Sequence, residues 1–160
     1  IVIIAARVLF YTITWDRAHQ LHPEDRAIVS AVARWKFPTS VSEFLSPLRS
    51  WNPHFFAYGS FPMYLLRTTG DALSRIDPAL GQYGNLYLIG RCLSALADLF
   101  SVFLIYKITR KLFNQKTGLL SAFFYAVSVL PIQLSRFFAV DTLFTCFVLA
   151  TLYSFLNCYE

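Results

Sequence analysis

The sequence predicts an all-α protein built as a polytopic bundle of transmembrane helices. The chain has 160 residues, of which 56% are hydrophobic and only 14% are charged, and its mean hydropathy is +0.50. Soluble domains carry about 25% charged residues, so this composition belongs to the membrane class. The apolar residues form long runs and do not alternate with polar ones, which disfavours a β-barrel. Helices are the other structure that can span a bilayer.

Four apolar stretches account for the predicted spans, because a bilayer core needs about 20 helical residues. They are residues 1–14, 84–106, 118–134 and 142–158. The first stretch is shorter than a full span and resembles the second half of a transmembrane helix. We therefore expect the chain to be the N-terminal part of a single transmembrane domain that is truncated at both ends.

The predicted topology rests on the loop 107–116, which carries four cations and no acid. The positive-inside rule places such a short basic loop in the cytoplasm. Residues 135–141 and the long segment 15–83 then lie on the outer side. Within that segment, one amphipathic helix is predicted to begin at Pro23 and another to run over residues 61–76, and we expect both to lie along the membrane surface.

The net charge of +5 does not indicate a nucleic-acid partner, because the sequence has no basic stripe interleaved with exposed aromatic residues. The cysteines do not indicate a metal site either. Cys92, Cys146 and Cys158 lie in apolar stretches, lack metal-ligand spacing and are odd in number. We expect them to be inert.

An acidic pair, Glu24-Asp25, is the first candidate site. It places two adjacent carboxylates beside His22 and Arg26 at the predicted start of a helix. Such a pair could bind a divalent cation or act as a general base. The alternative is that acids in a first helical turn only interact favourably with the helix dipole.

Arg136 and Asp141 form the second candidate site, where the third span ends and the fourth begins. An arginine there could hold an anionic phosphate, and the acid could join a metal site or orient a substrate. The alternative is a purely structural role at the helix ends, in which the arginine extends its charged group towards water and the aspartate caps the last helix.

Asp98 lies near the middle of a predicted span, and Arg91 lies seven residues earlier on the same helical face. Ionisable groups at that depth are costly, and they usually face a bundle interior or a cavity. Purely structural pairing is the alternative. His22 and His54 could be ligands, although a single surface histidine is more often neither ligand nor base.

The order of these features resembles the protein O-mannosyltransferase and aminoarabinose transferase superfamily of GT-C glycosyltransferases, which includes glycosyltransferase family 39. Three pieces carry the resemblance and together span most of the chain. They are the acidic-pair segment His22–Arg26, the Pro-containing juxtamembrane segment Tyr58–Leu66 and the Ser-Arg-to-Asp stretch Ser135–Asp141. The pair in the family is usually Asp then Glu, whereas here Glu24 precedes Asp25, which leaves open which carboxylate is the base.

The resemblance implies a GT-C-like, multi-pass enzyme of the plasma membrane or endoplasmic reticulum with an extracytoplasmic active site. Such an enzyme transfers a hexosyl or pentosyl group from a polyprenyl-phosphate donor in the bilayer to a hydroxyl of a protein, glycan or lipid. Glu24 and Asp25 would act as the base or hold Mg²⁺ or Mn²⁺. The residues implied for the donor phosphate are Arg136, Arg91 and Arg26, and the supporting residues are Asp141, His22, His54 and Asp98.

Two other functions remain open at the level of sequence. A transporter or channel is suggested by Arg91 and Asp98, and it predicts helices broken at the midplane and an inverted repeat, neither of which is evident in the sequence. A non-catalytic membrane scaffold would need Glu24 and Asp25 only as helix-start residues.

Overall fold

The computed structural model is all-α in the part of the chain that it describes, as predicted, and none of the described residues forms a strand. It describes residues 14, 16, 19, 22–34, 38, 40–46, 55 and 57–158. The α-helices are α1 (Pro23–Ala33), α2 (Val41–Leu45), α3 (Phe61–Ser74), α4 (Tyr83–Leu112), α5 (Gln115–Val127), α6 (Val129–Leu134) and α7 (Val140–Cys158), with a 3₁₀ helix at Pro78–Gly81 before α4. The predicted span 1–14 lies, apart from Thr14, outside the described residues.

The chain divides into two compact units. One comprises Ala18–Gly90, and the other comprises Ile1–Arg17 together with Arg91–Glu160. Helix α4 begins in the first unit and continues through the second.

Within the unit 18–90, α1 packs against α3 as an amphipathic helix. It begins at Pro23, which suits a first helical position because its fixed φ is already helical and its missing N–H would have no partner there. The side chains of Ile28 and Val32 are fully buried, whereas Arg26 and Arg34 are exposed. This separation of faces agrees with the predicted helix.

The second predicted amphipathic helix is α3, which ends two residues earlier than the predicted limit at Ile76. Gly59 precedes it with a φ of +74°, a conformation that favours glycine because a Cβ would be strained there. Arg67 pairs with Asp71, four residues further along α3, at 2.7 Å. Met63 and Leu66 are fully buried on the packed face of the helix.

Two helices of the described chain, α4 and α7, are long and apolar enough to cross a membrane. Only 17% of the most apolar window of α7 is buried, which is unlike the core helix of a soluble protein. Large apolar side chains are exposed on both helices, including Phe100, Phe103, Phe144, Phe147 and Phe155. Contiguous apolar surface of this kind suits contact with lipid.

Helix α4 continues to Leu112, beyond the predicted limit at Tyr106, and thus includes most of the basic loop. Basic side chains are favourable in the last turn of a helix, because their positive charge complements the negative end of the helix dipole. The connection to α5 is short, and the Asn114 side chain caps α5 by accepting a hydrogen bond from the Thr117 N–H at 2.9 Å. Gly118 permits the close approach, since a Cβ there would lie 3.1 Å from the backbone of Arg110.

The predicted span 118–134 differs from the structure, which divides it into α5 and α6 at Ser128. Ser128 has extended backbone angles, φ −70° and ψ 134°. Pro131 accounts for the division, because a proline inside a continuous helix has no N–H to donate and clashes with the carbonyl four residues earlier. In the first turn of α6, Pro131 needs no N–H partner within the helix and has no carbonyl of its own helix four residues earlier to clash with. Although a transporter was expected to have broken helices, local proline chemistry is sufficient to explain this one.

Candidate functional site

The acidic pair occupies the first turn of α1. Asp25 is 0% exposed, whereas Glu24 is only half-buried. Consecutive helical residues project about 100° apart, so the two carboxylates have different surroundings. Asp25 shares the packed face of α1 with Ile28 and Val29, which are also fully buried.

The difference in exposure separates the roles that the two acids can take. A general base must come within hydrogen-bond reach of the proton that it removes. Glu24 reaches the surface of its unit and can meet a substrate there. Asp25 is fully buried, and an aspartate is almost never fully buried without specific partners, so it does not offer its carboxylate at the surface.

The residues on either side of the acidic pair, His22 and Arg26, lie at the same end of α1. His22 is the half-buried N-cap residue of α1, although its side chain makes no capping hydrogen bond. Arg26 is exposed. The predicted residue His54 lies outside the described residues.

Arg136 lies in the turn between α6 and α7 and is half-buried. Its Nε atom is buried and has no hydrogen-bond partner among the described residues. A buried donor without a partner costs free energy, and a guanidinium is suited to donate to phosphate oxygens. The preceding Ser135 is fully buried, and its hydroxyl donates to the Ile132 carbonyl at 2.9 Å.

Asp141 is exposed in the first turn of α7, where a negative charge interacts favourably with the helix dipole. It follows Val140, the first helical residue, so the capping position assigned to it as an alternative is not the one it occupies. The next residue, Thr142, is 5% exposed. Its hydroxyl has no hydrogen-bond partner among the described residues.

A polar stripe follows one face of α4 through residues that are three or four positions apart. All four are at most 4% exposed, namely Arg91, Ser94, Asp98 and Ser101. The sequence analysis identified the two charged members but not the two serines. The spacing of the stripe was the signal that could have identified them, because it places all four side chains on one side of the helix.

Arg91 forms a buried ion pair with Asp16, a residue that the sequence analysis did not single out. The two guanidinium nitrogens donate to the two carboxylate oxygens at 2.9 and 2.7 Å. Both side chains are 0% exposed. This bidentate engagement weakens the case for Arg91 as a donor-phosphate ligand relative to Arg136, whose Nε donor is not engaged within the described chain.

Asp98 has a structural partner of its own. The Tyr125 hydroxyl donates to Asp98 at 3.0 Å, which links α4 to α5. In an apolar surrounding such a bond favours association of helices. Arg91 and Asp98 thus each have a partner within the described chain, Asp16 and Tyr125 respectively.

The chemistry of the acidic pair limits the kind of cation that it could hold. Among the described residues there is no group of three or more His, Cys, Asp or Glu side chains that could hold a metal ion. Zn²⁺ and Ca²⁺ usually require at least three protein ligands. Mg²⁺ is different, since it is often held by one or two carboxylates together with substrate phosphates and water, and the carboxylate of Glu24 fits that pattern. The cysteines Cys92, Cys146 and Cys158 are all free.

Comparison with known proteins gives a match over the second half of the chain. Residues 83–160 match the family model described as dolichyl-phosphate-mannose-protein mannosyltransferase. The matched segment contains the polar stripe of α4 and the turn that carries Arg136, but it does not include α1 to α3. No curated protein and no solved structure matches the chain. The match is to a family of membrane glycosyltransferases, and it supports an integral membrane protein.

The ion pair leads to a prediction about stability. Asp16→Ala removes a carboxylate that engages the buried Arg91 guanidinium through two hydrogen bonds, and we expect it to lower the free energy of unfolding by about 3–5 kcal/mol. The double variant Asp16→Leu/Arg91→Met removes both charges and should recover most of that loss. Denaturant unfolding of the purified protein in detergent measures both effects.

The partly exposed pair Arg67–Asp71 provides the matched control. Its side chains are 14% and 37% exposed, so Arg67→Ala should cost less than about 1 kcal/mol. Equal losses for Asp16→Ala and Arg67→Ala, or a double variant as unstable as Asp16→Ala, would contradict the assigned role of the buried pair.

Proposed function

We propose that this chain is part of a membrane glycosyltransferase that transfers a sugar from a polyprenyl-phosphate donor to a hydroxyl-bearing acceptor on the extracytoplasmic side. The observation that carries the proposal is the family match over residues 83–160. The two apolar helices support a membrane location. The acidic pair in α1, which lies outside the matched segment, supports the proposal independently through its chemistry.

In the proposed reaction, the acceptor oxygen attacks the anomeric carbon of the donor sugar. The bond between that carbon and the phosphate oxygen breaks, and the bonding electrons leave with the polyprenyl phosphate. The acceptor proton passes to a carboxylate. We assign this base role to Glu24, because its side chain is accessible, and we assign Asp25 to positioning, because it is fully buried.

The departing phosphate gains negative charge and requires a cationic partner. Stabilisation of developing charge by preorganised donors is usually a large part of catalysis. Arg136 is the proposed partner, because its Nε donor is buried and has no partner among the described residues. Arg91 and Arg26 are second choices, since Arg91 is paired with Asp16 and Arg26 lies on the exposed side of α1.

A divalent cation, Mg²⁺ or Mn²⁺, is a further part of the proposal. Glu24 would hold it together with phosphate oxygens of the donor, with Asp25 beside it. The ion would supply positive charge to the leaving phosphate.

The base assignment predicts different outcomes for the two acids. Glu24→Gln should lower the rate of sugar transfer by about 10²–10⁴-fold, the usual contribution of a general base, and should lower the unfolding temperature only slightly, because a partly exposed charge near the helix dipole is removed. Asp25→Asn should lower both the rate and the unfolding temperature, because a buried charge that interacts with the helix dipole is removed. Two quantities are measured for each variant: the rate of sugar transfer from a panel of polyprenyl-phosphate sugars to an acceptor, and the temperature of thermal unfolding.

Asp77→Asn is the matched control for these variants. Asp77 is an exposed acid that accepts a hydrogen bond from the Ala79 N–H at 2.9 Å, and asparagine can accept the same bond. Its activity should equal that of the unaltered protein. Unaltered transfer by Glu24→Gln would overturn the base assignment.

Arg136→Gln is expected to lower the rate of transfer by about 10²–10³-fold, as does the loss of one charge-stabilising donor in other enzymes. Arg136→Lys retains the charge but loses the planar fork, so it should recover only part of the rate. Arg75→Gln, which removes an exposed arginine at the end of α3, provides the control. If Arg136→Gln and Arg75→Gln had the same small effect, Arg136 would not be the phosphate ligand.

Chelation tests the cation separately. Treatment with EDTA should abolish transfer, and adding Mg²⁺ or Mn²⁺ should restore it. Full activity in EDTA would remove the metal from the proposal while leaving the roles of Glu24 and Arg136 in place.

A further inference from the structure

Helices α4 and α7 run side by side in the same direction within the unit that contains residues 91–160. At their C-terminal ends, the Lys111 Nζ donates to the Asn157 side-chain oxygen at 2.7 Å. One turn earlier, the Nζ of Lys107 lies 5.9 Å from the ring centroid of Tyr153. Both contacts join residues that are 46 positions apart, so this offset defines the register of the two helices.

The register continues along the polar stripe of α4. The Cys146 side chain interacts with those of Ser101 and Asp98, so this face of α7 meets the stripe. Thr142 lies one turn before Cys146 on the same face. Ser94 lies one turn before Asp98 on the stripe. Because both helices rise about 1.5 Å per residue, the offset places Thr142 and Ser94 within about 3 Å of the same level.

The hydroxyls of Ser94 and Thr142 share an unusual property. The two residues are 0% and 5% exposed, and neither hydroxyl has a hydrogen-bond partner among the described residues. On the same helices, Ser101 and Thr151 donate to the carbonyls four residues earlier at 2.9 and 2.8 Å, a common arrangement for helical hydroxyls. A buried hydroxyl without a partner costs free energy. Ser94 and Thr142 therefore hold unused hydrogen-bonding capacity at one level of the unit.

Arg136 lies near the same end of this unit. It belongs to the turn before α7, and Thr142 follows in the first turn of that helix. Helix α6 contacts α7, which keeps the turn beside the helix start. The Nε of Arg136 is also buried without a partner in the described chain. Two hydroxyls and one guanidinium N–H are thus available as donors in this region.

These donors suit a phosphate group. Arginine and hydroxyl side chains both donate hydrogen bonds to phosphate oxygens, and a guanidinium also supplies positive charge. The acid of the stripe, Asp98, lies one turn deeper than Ser94 and accepts a hydrogen bond from Tyr125 at 3.0 Å. Asp141 is exposed. Neither carboxylate therefore occupies the position between the two hydroxyls.

The membrane level of the hydroxyls matches the proposed reaction. Ser94 lies about 25 Å from Lys111 along α4, close to the thickness of a bilayer core of about 30 Å. The positive-inside rule assigns the Lys111 end to the cytoplasm, so Ser94 falls near the opposite face. We propose that the hydroxyls of Ser94 and Thr142 donate hydrogen bonds to the phosphate of the polyprenyl-phosphate donor beside Arg136. This inference rests on the proposed function and adds two binding residues to it.

A purely structural role for the hydroxyls predicts a different outcome. If they were bonded within the folded protein, directly or through water, removing one would leave a buried group unpaired and lower the unfolding temperature. If they donate to a ligand, Thr142→Val removes a buried polar group that has no partner in the protein alone. The unfolding temperature of this variant without ligand should then be equal or higher.

The test measures binding of farnesyl phosphate to the full chain in detergent by isothermal titration calorimetry, with farnesol as the analogue that lacks the phosphate. Ser94→Ala and Thr142→Val should each weaken binding of farnesyl phosphate by about 10–100-fold, the usual worth of a hydrogen bond to a charged group. Neither should change binding of farnesol or lower the unfolding temperature. Thr142→Ser retains the hydroxyl and should retain binding.

Thr151→Val is the matched control, because Thr151 is an exposed residue of α7 whose hydroxyl already donates to the Phe147 carbonyl. It should leave binding of farnesyl phosphate unchanged. Equal binding of farnesyl phosphate and farnesol, unaltered binding in Ser94→Ala and Thr142→Val, or a lowered unfolding temperature in both would overturn the proposal. Inorganic phosphate that binds as tightly as farnesyl phosphate would overturn the assignment to the lipid-linked donor.

Sugar transfer, measured on the same variants, separates the two proposals. Transfer that depends on Arg136 but is unaffected by Ser94→Ala and Thr142→Val would reject the hydroxyl site alone. Farnesyl phosphate binding that depends on both hydroxyls, in a full chain that transfers no sugar, would reject the proposed function and leave the phosphate site in place.

Discussion

The buried ion pair between Arg91 and Asp16 joins two residues that are 75 positions apart in the sequence. An ion pair without access to water is tolerated only when its geometry and hydrogen bonding compensate for lost hydration, and the two bonds of 2.9 and 2.7 Å meet that requirement. Asp16 and Arg91 flank the unit Ala18–Gly90 in the sequence. The ion pair thus joins Asp16 to the start of the segment Arg91–Glu160, within one unit, while α1 and α3 pack within the other.

The same pair begins the polar stripe of α4, which gives that helix two kinds of surface. Its stripe residues are buried, while Leu96, Phe100 and Phe103 are exposed. Small and polar residues at a helix contact allow close approach and interhelical hydrogen bonds, whereas lipid favours apolar side chains. The bond from Tyr125 to Asp98 shows this division, since it links α4 to α5 on the polar side. An acidic residue in an apolar span can therefore serve helix association without contacting a substrate.

Sequence reasoning predicted features that depend on local chemistry. The fold class follows from composition, and the starts of α1 and α3 follow from a proline at the first or second helical position and from apolar periodicity. The division at Ser128 was missed because apolar content continues across it, although Pro131 marked a conflict with helical hydrogen bonding. Hydropathy reports the length of an apolar run and carries no information on whether its backbone bonds are continuous.

The candidate site was harder to predict, because the roles of its residues depend on packing between distant segments. Glu24 and Asp25 are chemically alike and adjacent, and only their packing in the folded chain distinguishes the accessible carboxylate from the enclosed one. The partner of Arg91 lies 75 residues away, beyond the reach of any helical periodicity. Arg136 was identified from the type and position of the residue, and its buried Nε without a partner in the described chain strengthens that choice.

The interruption at Ser128 also affects the membrane around the protein. Helix α5 has 13 residues and rises about 20 Å, which is about two thirds of a bilayer core of about 30 Å. Helix α4 has 30 residues and rises about 45 Å, and even without its basic end it is much longer than α5. A bilayer adapts to a short helix by local thinning, at a fraction of a kcal/mol per Å. The lipid beside α5 is therefore expected to be thinner than the lipid beside α4, so that the chain deforms the membrane unevenly around its circumference.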